Sequence, residues 1–451
     1  MVFKNKSLLF FLFLFLPLSI FCKDIKRGPL AIEETQSHKT TIIVYVAADN
    51  DLDYFARRNI EQMKKVGSNQ NLTIAVQLDR YGAHEHTKRL LIEKNVIYQV
   101  NADDITAQQK LNSGNAQTLI DCCAWAIESF PADHYVLVLW NHGIGIVDFI
   151  KGKSTNASEL FVFNPHNHML ELNRSIEFLH YLETKDTKRD PRGVCFSDTY
   201  GSYLTNEKLD YALNEIKKSS LKGKNFAIIG FDACLMAMVE VAELIAPYAD
   251  YMVASEEVEL GTGWPYDQVL KIFESQALTP EQFATHIVTK YADNYNAITK
   301  DFTMSAIDLK QIDPLIINTK KITNTLITML HNECNLSVNR AIKASRSKKI
   351  CTYFSEPSYI DLHHFYTNLL TTVSFMEVSE KYTHLCSELS LYLTEGLTLI
   401  EKAVITNKVG PTLENAKGLA IYFPSRHIDS SYKKTSFAQK TQWLDLLKLL
   451  I

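Results

Sequence analysis

The sequence predicts an α/β fold organised on a mostly parallel sheet, and three observations carry that prediction. Short apolar runs without polar alternation recur at Thr40–Ala47, Leu72–Leu78, Tyr135–Trp140, Phe226–Ile229 and Tyr251–Ala254; strands buried on both faces read this way. Helical patterns separate them, and a strand–helix–strand unit implies parallel pairing through a crossover. Several runs end in polar or acidic residues, at the carboxyl edge where open α/β sheets place their ligand sites.

The elements follow in order. Met1–Cys22 carries Lys4 and Lys6 ahead of an uncharged Leu- and Phe-rich run, Leu8–Phe21. A basic start and a short apolar run define a secretory signal, too short for a comfortable membrane span. Cys22 offers the alternative of a lipid anchor, although Phe21 is bulky where a small residue is expected before a lipidated cysteine. Residues 23–39 are polar, without period, and read as a flexible leader. In the strand–helix–strand unit that follows, Leu52–Val66 places Leu52, Phe55, Ala56, Ile60, Met63 and Val66 on one face, with Gly67 closing the helix. Arg89–Ile92 and Val96–Val100 form a hairpin, and Ala116–Phe130 forms a second amphipathic helix.

Residues 146–192 break the rhythm. This segment is long for a loop in a compact domain and carries Lys151, Lys153, Lys185, Lys188, Arg189 and Arg192. From Tyr266 to Ile405 the pattern is mainly helical, and an apolar strand near 418–423 is expected to return to the main sheet. The organisation expected is therefore a signal over 1–22, a leader over 23–39, a core over 40–265 and a mainly helical region over 266–451. No later segment is apolar and long enough to span a membrane. A net charge of −4 leaves no basic footprint for nucleic acid.

The chemistry concentrates at two strand ends. Phe226-Ala-Ile-Ile229 leads through Gly230 and Phe231 to Asp232-Ala-Cys234 and then to a helical pattern. Asp232 is placed to cap that helix, and Cys234 is expected in its first turn, where free N–H groups favour a thiolate. Tyr135–Trp140 ends in Asn141-His142-Gly143, where a glycine allows close approach. A thiol and an imidazole delivered to one rim of one sheet form a nucleophile with its acid/base. Cys234 is weighed against the ordinary fate of a free cysteine, burial as a small apolar residue. Its strand-end position and the matching histidine favour the catalytic reading. His84/His86, His166/His168 and His363/His364 lack that context and read as solvated. No calcium loop of the EF-hand kind is present, so no metal and no cofactor are assigned. The acids Asp49, Glu256 and Glu257 also end strands and are candidates for lining a cleft.

At these residues the sequence resembles the clostripain-like cysteine peptidases of the caspase, gingipain and legumain clan. The motifs are Val44-Tyr-Val-Ala-Ala-Asp49-Asn-Asp51-Leu52, Val76-Gln-Leu-Asp79-Arg80, Leu139-Trp-Asn-His142-Gly143, Gly230-Phe-Asp232-Ala-Cys234-Leu-Met236, Ala254-Ser-Glu256-Glu257 and Gly418-Leu-Ala-Ile-Tyr-Phe-Pro424. The resemblance implies a caspase-like three-layer sandwich with a mostly parallel central sheet, plus a mainly helical C-terminal region. It implies a catalytic dyad of His142 and Cys234 and an oxyanion hole from the N–H groups of Gly143 and Cys234. Asp232 then lies in the pocket for the residue before the scissile bond. Substrates are proteins or peptides with Arg or Lys there, and Asp49, Glu256 and Glu257 are the further pocket candidates. Members are often matured by a cut after the histidine, which falls here in 146–192, and calcium dependence occurs among relatives. Ile144-Gly-Ile-Val147 stands where members often carry more glycine and an aromatic residue. The competing function is a catalytically inactive, exported binding protein with the same fold.

Overall fold

The structure, a computed structural model, describes residues 25–27, 38–100, 108–146, 161–164, 169–172 and 193–451. The expected signal, Cys22 and the six basic residues of the 146–192 segment lie outside the described residues. So do His166 and His168.

Sixteen strands are described: β1 (Ile25–Arg27), β2 (His38–Ala48), β3 (Leu72–Arg80), β4 (Lys88–Glu93), β5 (Val96–Gln99), β6 (Ala132–Trp140), β7 (Phe161–Asn164), β8 (Met169–Leu172), β9 (Gly193–Ser197), β10 (Ser202–Thr205), β11 (Phe226–Asp232), β12 (Ala249–Ala254), β13 (Thr303–Asp308), β14 (Tyr359–Asp361), β15 (Val404–Val409) and β16 (Ala420–Tyr422). Ten of them form one sheet in the order β1-β5-β4-β3-β2-β6-β11-β12-β13-β15. Its centre, β3-β2-β6-β11-β12, is parallel throughout. All seven residues of β11 are buried, as are eight of nine in β3. Helices and loops therefore cover both faces, which is why these strands read as continuous apolar runs.

The helix Asp53–Val66 buries Phe55, Ala56, Ile60, Met63 and Val66, and it ends at Gly67 with φ 69°. A side chain at Gly67 would have no room, because its Cβ would lie 2.0 Å from the Lys94 nitrogen. The hairpin is β4–β5, antiparallel, turning through Asn95 at φ 64°. β1 lies within the expected leader and pairs in parallel with β5.

The C-terminal region differs from expectation in one respect that matters. Helices Pro280–Tyr295, Ile312–Leu330, Leu362–Ser374 and Thr383–Ala403 form where the periodicity predicts helices over 280–295, 312–332, 360–373 and 387–405, but Ile360 and Asp361 belong to β14 and Val404 and Ile405 to β15. Yet β13 and β15, from this region, extend the main sheet as an antiparallel edge. The apolar run near 418–423 does not rejoin that sheet; β16 pairs with β14 in a separate ribbon. Composition explains the exchange. Val-Ile-Thr-Asn-Lys-Val is half-exposed, as an edge strand tolerates, whereas Ala420–Tyr422 is buried. β16 docks instead on the segment after Cys234, where the Ala420 N–H donates to the Ala237 carbonyl at 2.8 Å. The sheet thus runs across the expected 265/266 division. No helix among the described residues is long and apolar enough to cross a membrane.

Glu240 ties this C-terminal ribbon to the core. Its carboxylate accepts from the Tyr422 N–H and the Tyr432 hydroxyl, both at 3.0 Å. Burial, against those hydrogen bonds and with the charge of Glu243 added, pushes its carboxyl up to about 7. A carboxyl raised on folding binds more protons in the native than in the unfolded chain between about pH 4.5 and 7, so it lowers stability as pH rises through that window. Glu240→Gln keeps an acceptor and removes the charge. It is expected to match the parent near pH 5 and to exceed it by about 2–3 kcal/mol at pH 8, measured by urea unfolding at both pH values.

Candidate active site

The parallel pairing of β6 and β11 sets the site. Trp140 is in register with Asp232, so His142 and Cys234 each follow two residues beyond a matched pair. The Asn141 N–H donates to the Asp232 carbonyl at 3.2 Å and carries the alignment past the last ladder pair. The Asn141 side chain fixes the turn: its amide donates to the carbonyls of Ala47 and Phe196, and its oxygen accepts from the Phe196 N–H at 2.8 Å. A Cβ on Gly143 would stand 2.5 Å from the Cys234 carbonyl oxygen and 3.0 Å from Met236 Cγ. The histidine turn and the cysteine turn are therefore in contact, and glycine is what permits it.

His142 is fully buried. Its Nε2 lies 2.7 Å from Asp51 Oδ1, and its ring meets Phe196 edge-on with centroids 6.5 Å apart. Asp51 does not cap the helix that follows; Leu52 is the N-cap residue and makes no side-chain cap bond. The carboxylate turns to the imidazole instead.

Cys234 departs from expectation. The helix begins at Val239, not at the thiol, and Leu235 sits at φ 62° between them. Sγ accepts from the Glu259 N–H at 3.2 Å and is 1 % exposed. Burial pushes the thiol up, and the acids Glu259, Glu257 and Asp232 push it further. In this form the sulfur is a covered, neutral thiol rather than an open thiolate at a helix start. The cover is the Val258–Leu260 segment, which follows β12 and crosses the end of β11.

Asp232 is not a helix cap either. Both its oxygens accept from the Trp264 N–H at 3.1 Å, and one accepts from the Tyr266 hydroxyl at 2.9 Å. Burial raises it to about 6 against those hydrogen bonds. Gly263, at φ 63°, wraps so closely that a Cβ there would lie 2.9 Å from each Asp232 oxygen. The Trp264 ring covers Gly230, where a Cβ would lie 2.6 Å from Cη2.

The other acids expected at the pocket are occupied elsewhere. Asp49 is fully buried and accepts from the Ser197 hydroxyl at 2.7 Å and from Thr199 N–H at 3.0 Å, with Lys110 Nζ at 3.1 Å. It anchors the turn after β9. Glu256 accepts from the Gly418 N–H at 3.0 Å and faces Asp361, and burial pushes it up. Glu257 accepts from the N–H groups of Val258 at 2.7 Å and Ser355 at 3.0 Å. Sequence reasoning missed Glu259, which faces Asp232 and is 2 % exposed. The signal was available: it is the third acid in Ser255-Glu-Glu-Val-Glu259, just before a Gly-Thr-Gly-Trp turn that must pass over the adjacent strand end. Among the described residues, no group of histidine, cysteine and acids is suited to hold a metal ion.

A cysteine and a histidine thus stand at adjacent carboxyl ends of a parallel sheet, with an acid two residues before the cysteine. The sequence profile of the clostripain family matches residues 44–170 and 180–449, and the chain belongs to that family. It is similar to clostripain of Hathewaya histolytica, at 22 % identity, covering 89 % of this chain and 78 % of that one. Among solved structures it resembles a secreted C11 cysteine protease from Bacteroides thetaiotaomicron, with TM-score 0.60 and 14 % identity over 90 % of this chain and 99 % of the other. It also resembles an inactive zymogen C11 protease from Parabacteroides distasonis, with TM-score 0.57 and 19 % identity over 90 % and 98 %. These likenesses establish the caspase-like fold, and family membership makes the chain a cysteine-type endopeptidase.

The Gly143 contact is directly testable. Gly143→Ala forces a methyl group into the Cys234 carbonyl, so backbone must move. The variant is expected to lose about 1–3 kcal/mol of stability, read as a lower urea midpoint at unchanged slope, and to lose peptidase activity with it.

Proposed function

We propose that the protein is an exported endopeptidase that cleaves after Arg or Lys through a His142/Cys234 dyad. The observation that supports it most is the buried Asp232 carboxyl, two residues before the thiol and in no ion pair among the described residues. A buried acid that lacks a counter-charge favours a basic side chain over a neutral or acidic one.

The steps follow from the groups present. Cys234 Sγ, as thiolate, attacks the scissile carbonyl carbon, and the N–H groups of Gly143 and Cys234 receive the developing oxyanion. The C–N bond breaks, and the imidazolium of His142 gives its proton to the leaving amine. Water then attacks the thioester, with His142 taking the proton, and releases a carboxylate product and the free thiol. Asp51 holds the ring in orientation and stabilises its charged form.

The covered thiol corresponds to a resting form, and a cut within 146–192 by the enzyme itself is the proposed release. The basic residues of that segment match the proposed specificity. The apolar run Leu8–Phe21 supports export, and Cys22 is the proposed anchor point if the mature protein is lipidated.

Cys234→Ala is expected to abolish hydrolysis of fluorogenic arginine amides; activity that persists removes the nucleophile assignment. Asp232→Asn is expected to remove about 2–5 kcal/mol of the preference for Arg over a neutral residue, measured as the ratio of kcat/KM values across a panel varied only before the cut. An unchanged ratio moves the pocket acid elsewhere.

A further inference from the structure

Glu259 has no place in the dyad, the oxyanion hole or the expected pocket, yet it is one of the most buried acids in the chain. Its backbone and its side chain act at two points of the site. The N–H donates to Cys234 Sγ at 3.2 Å. Both carboxyl oxygens are sealed from solvent without a donor in good hydrogen-bonding geometry. The groups they face are the Asp232 carboxyl and the Ala233 N–H. The buried lysine among the described residues serves other acids, since Lys110 pairs with Asp49 and Asp79, and Glu243 takes the exposed Lys440. Two acids beside the nucleophile are thus buried against each other with no cation between them.

Such a pair cannot carry two charges. Like charges in contact and away from water keep at least one proton between them. Among the described residues, the titratable groups around the pair offer no positive charge either. They are the phenols of Tyr266, Tyr291 and Tyr295 and the Cys234 thiol, all pushed up by burial. The arrangement is complete only when a cation arrives. A guanidinium has donors enough to bridge two carboxylates, and its charge allows both to ionise.

We infer that Glu259 is the second carboxyl of the specificity pocket, that it shares one proton with Asp232 while the pocket is empty, and that an arginine or lysine side chain replaces this proton when it binds. This rests on the reading of Asp232 as the pocket acid. The consequence is a coupling of basic-substrate binding to proton release. Recognition strengthens as pH rises through the titration of the empty pair, because less work is needed to remove the proton. A substrate with a neutral residue in the pocket feels no such step.

The test uses the mature, active protein and two fluorogenic peptides that differ only before the cut, one with arginine and one with its neutral isostere citrulline. The ratio of their kcat/KM values is followed from pH 5.5 to 9. In the parent enzyme the ratio is expected to rise with pH through one proton-loss step. In Glu259→Gln that step is expected to move down to the titration of Asp232 alone, with the arginine substrate weakened roughly 10- to 100-fold at high pH. Glu259→Asp, which restores a carboxyl, is expected to move the step back up. An unchanged pH dependence of the ratio in Glu259→Gln overturns the inference and leaves Glu259 a packing residue.

A second measurement is independent of how that variant folds. Cys234→Ala protein is titrated by calorimetry, in buffers of different ionisation enthalpy, with a peptide ending in arginine. Binding is expected to release about one proton, and release of none overturns the inference. A parent enzyme that treats arginine and citrulline alike at every pH has a different meaning: the reading of Asp232 fails, and the role of Glu259 falls with it.

Discussion

Everything at this site depends on the register of two parallel strands. β6 and β11 pair so that Trp140 stands beside Asp232, and the two turns that follow leave the sheet at the same level. A shift of one residue would invert the faces of a strand and separate imidazole from thiol. The register is protected from several sides. β2 pairs in parallel with β6 along most of its length, and the Asn141 side chain clamps the histidine turn to the ends of β2 and β9. Gly143 then lets the two turns touch. The chemistry is thus positioned by main-chain pairing deep in the core, and the loops only complete it.

The same burial that fixes the geometry sets the electrostatics. Cys234, Asp232 and Glu259 are removed from water and lie close enough to disfavour each other's charge. For Cys234 the outcome is a neutral thiol, although the proposed chemistry needs a thiolate. Asp51, in contrast, remains partly exposed and pairs with His142. The site therefore separates its acids into two kinds. One meets the imidazole where it is partly exposed to water; the others lie in a dry setting where charge is suppressed.

How much of this the sequence discloses depends on how local each feature is. The parallel core was legible because strands buried on both faces leave unbroken apolar runs, as in Ile42–Ala48 and Phe226–Ile229. The helix Pro280–Tyr295 was legible to the residue, because Thr279 and Gln282 form a capping box with Pro280 at its start. The turn after Cys234 was not. Leu235–Met238 has the composition of a helix, but tertiary contacts hold it irregular: the Leu235 N–H reaches the Glu257 carbonyl, and the Ala237 N–H reaches that of Ser255. Strands β13 and β15 were hidden for a similar reason. Thr303–Asp308 and Val404–Val409 are short, partly polar and flanked by long helices, and only the open edge of β12 makes them strands. The acids at the ends of β2, β11 and β12, namely Asp49, Asp232, Glu256 and Glu257, were found, but their partners were not. Whether a carboxylate lines a pocket or holds Ser355 or Ser197 depends on segments 98 and 148 residues away.

On the proposed assignment of Asp232 and Glu259 to the specificity pocket, cover and pocket belong to one device. The main chain of Glu259 roofs the sulfur and its side chain meets Asp232, so whatever displaces one perturbs the other. A basic side chain entering here brings the positive charge that the acids lack. It lets Asp232 and Glu259 ionise, and it cancels the negative field that those carboxylates would otherwise exert on Cys234. Desolvation, the first cause of the raised thiol, then stands without its electrostatic reinforcement. On this argument the cation before the scissile bond does more than anchor the substrate. It helps convert a protected thiol into a nucleophile, which ties the selectivity of the pocket to the reactivity of the sulfur beside it.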